Sequence, residues 1–307
     1  MHRPRLWGLL LLLAACEARI TGAPDEHGLI DAGPGDDAPV TVDAAPVLGP
    51  WSTPVKIPQA SSTTSAEDDV TLSSNTLEMI FAIDSGTNAG KDLYYSSRAS
   101  TAAPWSTAVK LSFNSATQSD ETPRFSANDK TLYFASGRAG NGNLDIYSVT
   151  HASPDAMTWG TPQLLAAVST TTLLEKWYMP CGNEYFMVQG TAANGTDLVV
   201  GTLGSTNKPT PIAELNSAQN ETGTYLSQDC LTIYFASTRP SATSPSMIYK
   251  ATRPSLTAAW QPPSPVIDFP IAGSNSGQED PWMSADGRTF VFASDAAGTK
   301  DIYISTR

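Results

Sequence analysis

Glu121-Thr-Pro-Arg-Phe-Ser-Ala-Asn-Asp-Lys-Thr-Leu-Tyr-Phe-Ala-Ser-Gly-Arg138 is the stretch that decides the fold. It contains two short strands, Pro123 to Ser126 and Thr131 to Ser136, parted by the turn residues Asn128-Asp129. A third strand follows at Asp145-Ile-Tyr, and a fourth opens at Trp159-Gly-Thr-Pro-Gln-Leu-Leu. The same order recurs along the chain. Ser73, Ser126, Ser227 and Ser284 each stand eight residues before a Phe-Ala pair, at Phe81, Phe134, Phe235 and Phe292, with a degenerate copy at Phe186. Asp92-Leu-Tyr, Asp197-Leu-Val, Ile248-Tyr and Asp301-Ile-Tyr match the third strand. Trp51, Trp105 and Trp260 match the fourth, and the copy near Lys208-Pro-Thr-Pro-Ile lacks the Trp.

Such a period marks a repeat architecture. No 3.6-residue apolar periodicity appears, so a helical solenoid is excluded. Four short strands per repeat predict an all-β fold, a β-propeller of five four-stranded blades around a channel. The chain opens with a fourth strand and stops after a third, so residues 51–57 should close the ring as the outer strand of the last blade.

The 121–138 stretch with Asp145-Ile-Tyr, and its copy from Glu279-Asp-Pro-Trp-Met to Phe292-Ala-Ser, resembles the TolB-type, WD-repeat-like propeller repeat of bacterial envelope proteins. The resemblance spans four repeats clearly and a fifth weakly. It implies a binding scaffold; some relatives sit beside hydrolase domains. Six blades are common in TolB itself against the five counted here, so no specific TolB partner transfers.

Upstream of the repeats lies an address. Arg3 and Arg5 precede an apolar run from Leu6 to Ala15, the pattern of a secretory signal. At ten residues the run is too short to span a bilayer, which takes about 20. Leu13-Ala14-Ala15-Cys16 resembles the bacterial lipobox, which implies lipidation at Cys16 and a membrane-anchored envelope protein. By the same analogy, Glu17 in place of Asp favours the outer membrane. Residues 16–50 hold seven acids against a lone Arg19 and are rich in Ala, Pro and Gly, which predicts a disordered acidic tether with a reach of roughly 30 Å. The expected organisation is therefore signal peptide 1–15, tether 16–50 and propeller 51–307.

Composition removes several functions. A net charge of −12 with no basic cluster argues against a nucleic-acid partner. His2 and His27 fall outside the repeats and His151 stands alone, which leaves no set for a His-based zinc site or a Ser-His-Asp triad. Cys181 and Cys230 occupy equivalent turns of adjacent repeats, where separations often exceed bridging range. Two buried free thiols are expected rather than a disulfide.

Candidate site residues lie on the first strands. Each repeat has an acid at the entry of that strand: Asp68, Glu121, Glu175, Glu221 and Glu279, with Asp69, Asp120 and Asp280 beside three of them. Converging on the channel, they would form a rim suited to Ca²⁺ or a basic partner segment. Alternatively, each acid caps its own strand-entry turn. No cofactor is otherwise expected. Trp177 and Trp282, also on first strands, could stack on a ligand, whereas the repeated Trp51, Trp105, Trp159 and Trp260 should pack between blades. Arg138 and Arg239 should pair with local carboxylates, and the repeated Asp should serve strand ends. The expectation is a non-enzymatic binding or scaffold propeller whose partner is an envelope protein or a glycan. The alternative is a carbohydrate-active hydrolase using channel carboxylates.

Overall fold

The repeated Ser closes a turn. Its hydroxyl accepts the backbone N–H five residues on (Ser73 from Glu78, Ser126 from Thr131, Ser227 from Thr232, Ser284 from Thr289) and donates to an Asn or Asp two residues on. Each turn joins the first and second strands of one blade. The computed structural model describes residues 48–307 apart from 63, 85, 87–89, 152–157, 192–193 and 270–275. Cys16, the signal pattern and nearly all of the acidic tether lie outside the described residues.

After a short β1 (Val55–Lys56), the chain builds blade I from β2 (Ala66–Leu72), β3 (Glu78–Asp84), β4 (Lys91–Ser97) and β5 (Val109–Lys110). Blade II holds β6 (Asp120–Phe125), β7 (Thr131–Ser136), β8 (Asp145–Thr150) and β9 (Gln163–Leu164). Blade III holds β10 (Leu174–Cys181), β11 (Glu184–Thr191), β12 (Gly195–Thr202) and β13 (Thr210–Pro211). Blade IV holds β14 (Glu221–Leu226), β15 (Thr232–Ser237), β16 (Met247–Thr252) and β17 (Ser264–Pro265). Blade V combines β18 (Gln278–Met283), β19 (Thr289–Ser294) and β20 (Asp301–Thr306) with β1, giving five four-stranded antiparallel sheets. The expected closure is present: Val55 pairs Ile304 and Lys56 pairs Tyr303.

Second strands are sandwiched between neighbouring blades. Phe81, Phe134, Phe235 and Phe292 are buried there at one register position, each contributing roughly 1.5–3 kcal/mol of apolar burial. In blade III that position is Met187, which pairs Val199, and Phe186 is offset by one residue. The repeated Trp packs against a cation or ring at the end of the third strand. Arg98 lies 4.4 Å over Trp105, Arg253 4.7 Å over Trp260 and Arg307 4.2 Å over Trp51, while the His151 and Trp159 rings are 4.4 Å apart. The repeated Asp meets an outer-strand lysine of its own blade in Lys110–Asp92 (2.7 Å) and Lys56–Asp301 (2.8 Å).

Cys181 and Cys230 correct the expectation of free thiols: they form a disulfide, with Cα atoms 5.9 Å apart. The β10–β11 turn is only Gly182-Asn183, so Cys181 ends its strand beside the β14–β15 turn that carries Cys230. That approach brings the pair within bridging range.

Candidate functional site

Every innermost strand breaks register at one place, between Asp68 and Thr71, Glu121 and Arg124, Lys176 and Met179, Thr222 and Tyr225, and Glu279 and Trp282. At each break one residue turns left-handed: Asp69 (φ 56°), Thr122 (φ 55°), Trp177 (φ 50°), Gly223 (φ 58°) and Asp280 (φ 54°). A bulge re-aims the side chains around it. Here it places Asp68, Glu121, Lys176, Thr222 and Glu279 at equivalent positions on a cavity of about 280 Å³ at the entry end of the first strands.

This register divides the expected acid rim. Asp68, Glu121 and Glu279 line the cavity, and Glu175 and Glu221 do not. The latter two stand one residue earlier in the pleat, and a one-residue offset sends a side chain to the opposite face. Glu175 accepts from Thr170 N–H (3.2 Å) and Oγ1 (2.9 Å), and Glu221 from Ser217 N–H (3.2 Å) and Oγ (2.6 Å). Both cap their own strand-entry turns, as do Glu67, through Ser62 N–H, and Asp120, through Ser115 N–H. Arg138 and Arg239 pair with Asp120 (2.7 Å) and Glu221 (2.8 Å) of this capping set.

The cations that meet the rim are the chain's own. Lys176 Nζ lies 2.8 Å from Glu121, and Lys91 Nζ lies 3.8 Å from Glu121, 3.1 Å from Asp69 and 2.7 Å from Asp68. Lys300 Nζ continues the chain, 3.6 Å from Asp68 and 2.8 Å from Glu279. The result is an arc of alternating charge across blades III, II, I and V. It is open at blade IV, where Asn220, Thr222, Thr238 and Ser246 supply neutral groups. Among the described residues, no group of three or more His, Cys, Asp or Glu is placed to hold a metal ion.

Burial and the charge of Asp69 raise Asp68 well above the ordinary carboxylate range, but Asp68 keeps its lysine contacts and Asp280 has none among the described residues. Asp280 is 2% exposed, its Oδ2 accepts Asp69 N–H at 3.1 Å, and its Oδ1 has no hydrogen-bond partner among the described residues. Burial, reinforced by the charges of Asp69 and Glu279, pushes Asp280 up to about 7. Burial also opposes ionisation of Asp69, yet Lys91 and Lys176 hold that carboxyl down at about 2. Gly223 makes room: a Cβ there would fall 2.8 Å from Asp280 N and 3.1 Å from Asp280 Oδ1.

Arg124 forms the floor. The side chain is 1% exposed; Nη1 donates to Val70 O (3.1 Å) of blade I and Nε to Thr224 O (3.2 Å) of blade IV. Beyond it, at the other end of the first strands, lies an apolar pocket of about 170 Å³ lined by Leu72, Phe125, Met179, Leu226, Trp282 and Met283. The two candidate tryptophans therefore separate. Trp177 lines the polar cavity beside Lys176, whose Nζ is 5.4 Å from the ring centre, and Trp282 sits past the bulge on the apolar pocket.

Sequence reasoning missed the lysines and Arg124. Lys91 and Lys300 immediately precede the repeated Asp, and the string Lys-Asp-(Leu/Ile)-Tyr occurs only in blades I and V. That asymmetry was the available signal, because the residue before the repeated Asp also contributes Ser246 to the cavity. Arg124 sits inside the quoted repeat, at the register position held by Thr71, Met179, Tyr225 and Trp282 in the other blades.

No family model and no curated protein sequence matches the chain. Solved structures share its architecture. The catalytic domain of a GH62 α-L-arabinofuranosidase from Coprinopsis cinerea superposes with a TM-score of 0.55 at 12% identity, over 84% of this chain and 97% of that one. An α-L-arabinofuranosidase from Lactobacillus brevis gives 0.52 at 12% identity, over 82% and 94%. A protein of Agrobacterium tumefaciens assigned as TolB gives 0.48 at 16% identity, over 82% of each chain. At these identities the hydrolase likenesses establish the propeller fold and nothing about activity.

Proposed function

We propose that the chain is a membrane-tethered, non-enzymatic propeller of the bacterial envelope that holds a ligand, a glycan end or a segment of an envelope protein, at the polar cavity. One observation carries the binding half of this reading. Asp68, Asp69, Glu121 and Glu279 are each within 3.1 Å of a lysine ammonium, leaving Asp280 as the one cavity carboxylate without a lysine contact. A general acid–base pair needs carboxylates free to exchange protons with substrate, and four of these five are held as ion pairs. The tethered half rests on the signal and Cys16 pattern. The Cys181–Cys230 disulfide supports it, because such bonds persist in oxidising compartments.

A second reading is glycoside hydrolysis. Asp280, raised to about 7, stands against Asp69, held at about 2, and neighbouring carboxyls pushed apart are what an acid and a base require. The GH62 likeness in fold is compatible with it. Turnover separates the two. The full chain incubated with chromogenic pentosides, hexosides and envelope polysaccharide should release no product above a Lys91→Met control. Release that is lost in Asp280→Asn establishes the hydrolase instead.

A further inference from the structure

We propose that the cavity takes a neutral, polyhydroxylated molecule the size of one sugar ring, bridging the charged arc and the neutral groups of blade IV. This inference rests on the reading of the cavity as the binding site.

The charge balance excludes most alternatives. Five carboxylates (Asp68, Asp69, Glu121, Glu279 and Asp280) face Lys91, Lys176 and Lys300, with Arg124 beneath them. An incoming anion must displace a carboxylate from its lysine, and an incoming cation must displace a lysine or ionise Asp280, whose carboxyl burial raises to about 7. Either displacement strands a buried charge, the costly outcome for such pairs. A hydroxyl disturbs no pair, since it accepts from an ammonium and donates to a carboxylate at once.

Two unpartnered groups point the same way. Asp280 Oδ1 and Trp177 Nε1 have no hydrogen-bond partner among the described residues; their residues are 2% and 6% exposed, and both line the cavity. Buried polar groups are rarely left unpaired. One is an acceptor and the other a donor, the complement of a hydroxylated ring. Asp280, raised to about 7 by burial with Asp69 and Glu279 nearby, both donates and accepts near neutral pH. Size agrees: a cavity of about 280 Å³ has room for a single sugar ring. On the open side of the arc, Thr222, Thr238, Ser246 and Asn220 offer hydroxyls and an amide without charge.

Titration calorimetry of the full chain at pH 7 tests this with D-glucose, D-xylose and D-mannitol against D-glucuronate, D-glucosamine and inorganic phosphate. At least one neutral probe should saturate, about tenfold tighter than its charged counterpart, and Thr222→Val and Trp177→Phe should each weaken it about tenfold, as loss of one hydrogen bond to a bound ligand does. Circular dichroism melts confirm that the variants remain folded. Preference for a charged probe overturns the inference and leaves the binding reading standing. So does tight neutral binding unaffected by either variant, which places the ligand elsewhere. Silence from all six probes also overturns it, and the turnover assay decides independently whether the binding reading falls too.

Discussion

The guanidinium of Arg307, the last residue, lies 4.2 Å from the ring centre of Trp51, close to where the described chain begins. Ser52 adds bonds to the final strand, donating its N–H to Thr306 O at 2.8 Å and accepting Thr306 N–H on its hydroxyl at 3.0 Å. The ring of blades is thus latched by its two ends.

Weakening that latch should lower stability without altering the other blades. Arg307→Ala removes a cation–π contact worth about 0.5–2 kcal/mol. Deleting residues 51–57 removes all of β1 and exposes the edge of β20. Thermal melts should show a small loss for the point variant and a much larger one for the deletion; equal Tm values for the deletion and the parent would contradict the closure.

Arg124 holds the channel floor with its charge fully buried near Asp69 and Asp280. Arg124→Met should destabilise by about 3–5 kcal/mol, the cost of stranding buried partners. Adding Asp280→Asn should recover part of that loss. Urea titrations of the parent, both single variants and the double variant measure the coupling; additive effects would show that Arg124 and Asp280 do not interact.

Asp280 makes stability depend on pH in a definite direction. Its folded pKa, about 7, lies above the ordinary 3.8, so protonation favours the fold. The contribution of Asp280 is full below about pH 4, declines as pH rises through the interval up to about 7, and is gone above it. At about 1.4 kcal/mol for each pH unit between the two values, the whole effect is roughly 4 kcal/mol. Asp280→Asn should therefore raise Tm over the parent at pH 8 and leave it nearly unchanged at pH 4. A gain confined to low pH would reverse the assignment.

The Cys181–Cys230 bond closes a loop with a sequence separation of 49, which in the chain-entropy treatment is worth about 4 kcal/mol. Reductant, or Cys181→Ala with Cys230→Ala, should lower the urea midpoint accordingly. Mass spectrometry of the untreated protein should find both thiols blocked to alkylation.

The architecture was legible because its signals are periodic. Ser126, Phe134, Asp145 and Trp159 recur with their turns, and the Ser and the Phe do the same job in every blade that keeps them, whereas the Asp meets a lysine in blades I and V and Asn141 in blade II. The cavity was half legible. The spacing from Phe81 to Asp68, repeated from Phe134, Phe235 and Phe292, lands on Glu121, Thr222 and Glu279, so Glu221 was one residue out of phase. In blade III the short Gly182-Asn183 turn shifts the count, and Lys176 rather than Glu175 reaches the cavity. A bulge leaves no mark in composition, because Asp69, Thr122, Trp177, Gly223 and Asp280 share a backbone conformation and no chemistry. The disulfide was hidden for a related reason: residue separation along the chain does not reveal that Cys181 ends a strand beside a neighbouring turn.

The five left-handed residues have a consequence for how this surface can diversify. The frame and the cavity use different letters of the repeat: Ser, Phe, Tyr and Trp hold the wheel together, and the first position at each break lines its hub, joined by the second in blades I, III and V. Hub letters are coupled from blade to blade, through Lys176–Glu121, Lys300–Asp68 and the Asp69 N–H bond to Asp280, so a change in one blade is felt by its neighbour. Because the written word is Asp-Asp, Glu-Thr, Lys-Trp, Thr-Gly and Glu-Asp around the wheel, a fivefold frame carries an unsymmetric lock, with Thr222-Gly223 as its keyway. A molecule entering such a hub has one orientation to adopt rather than five.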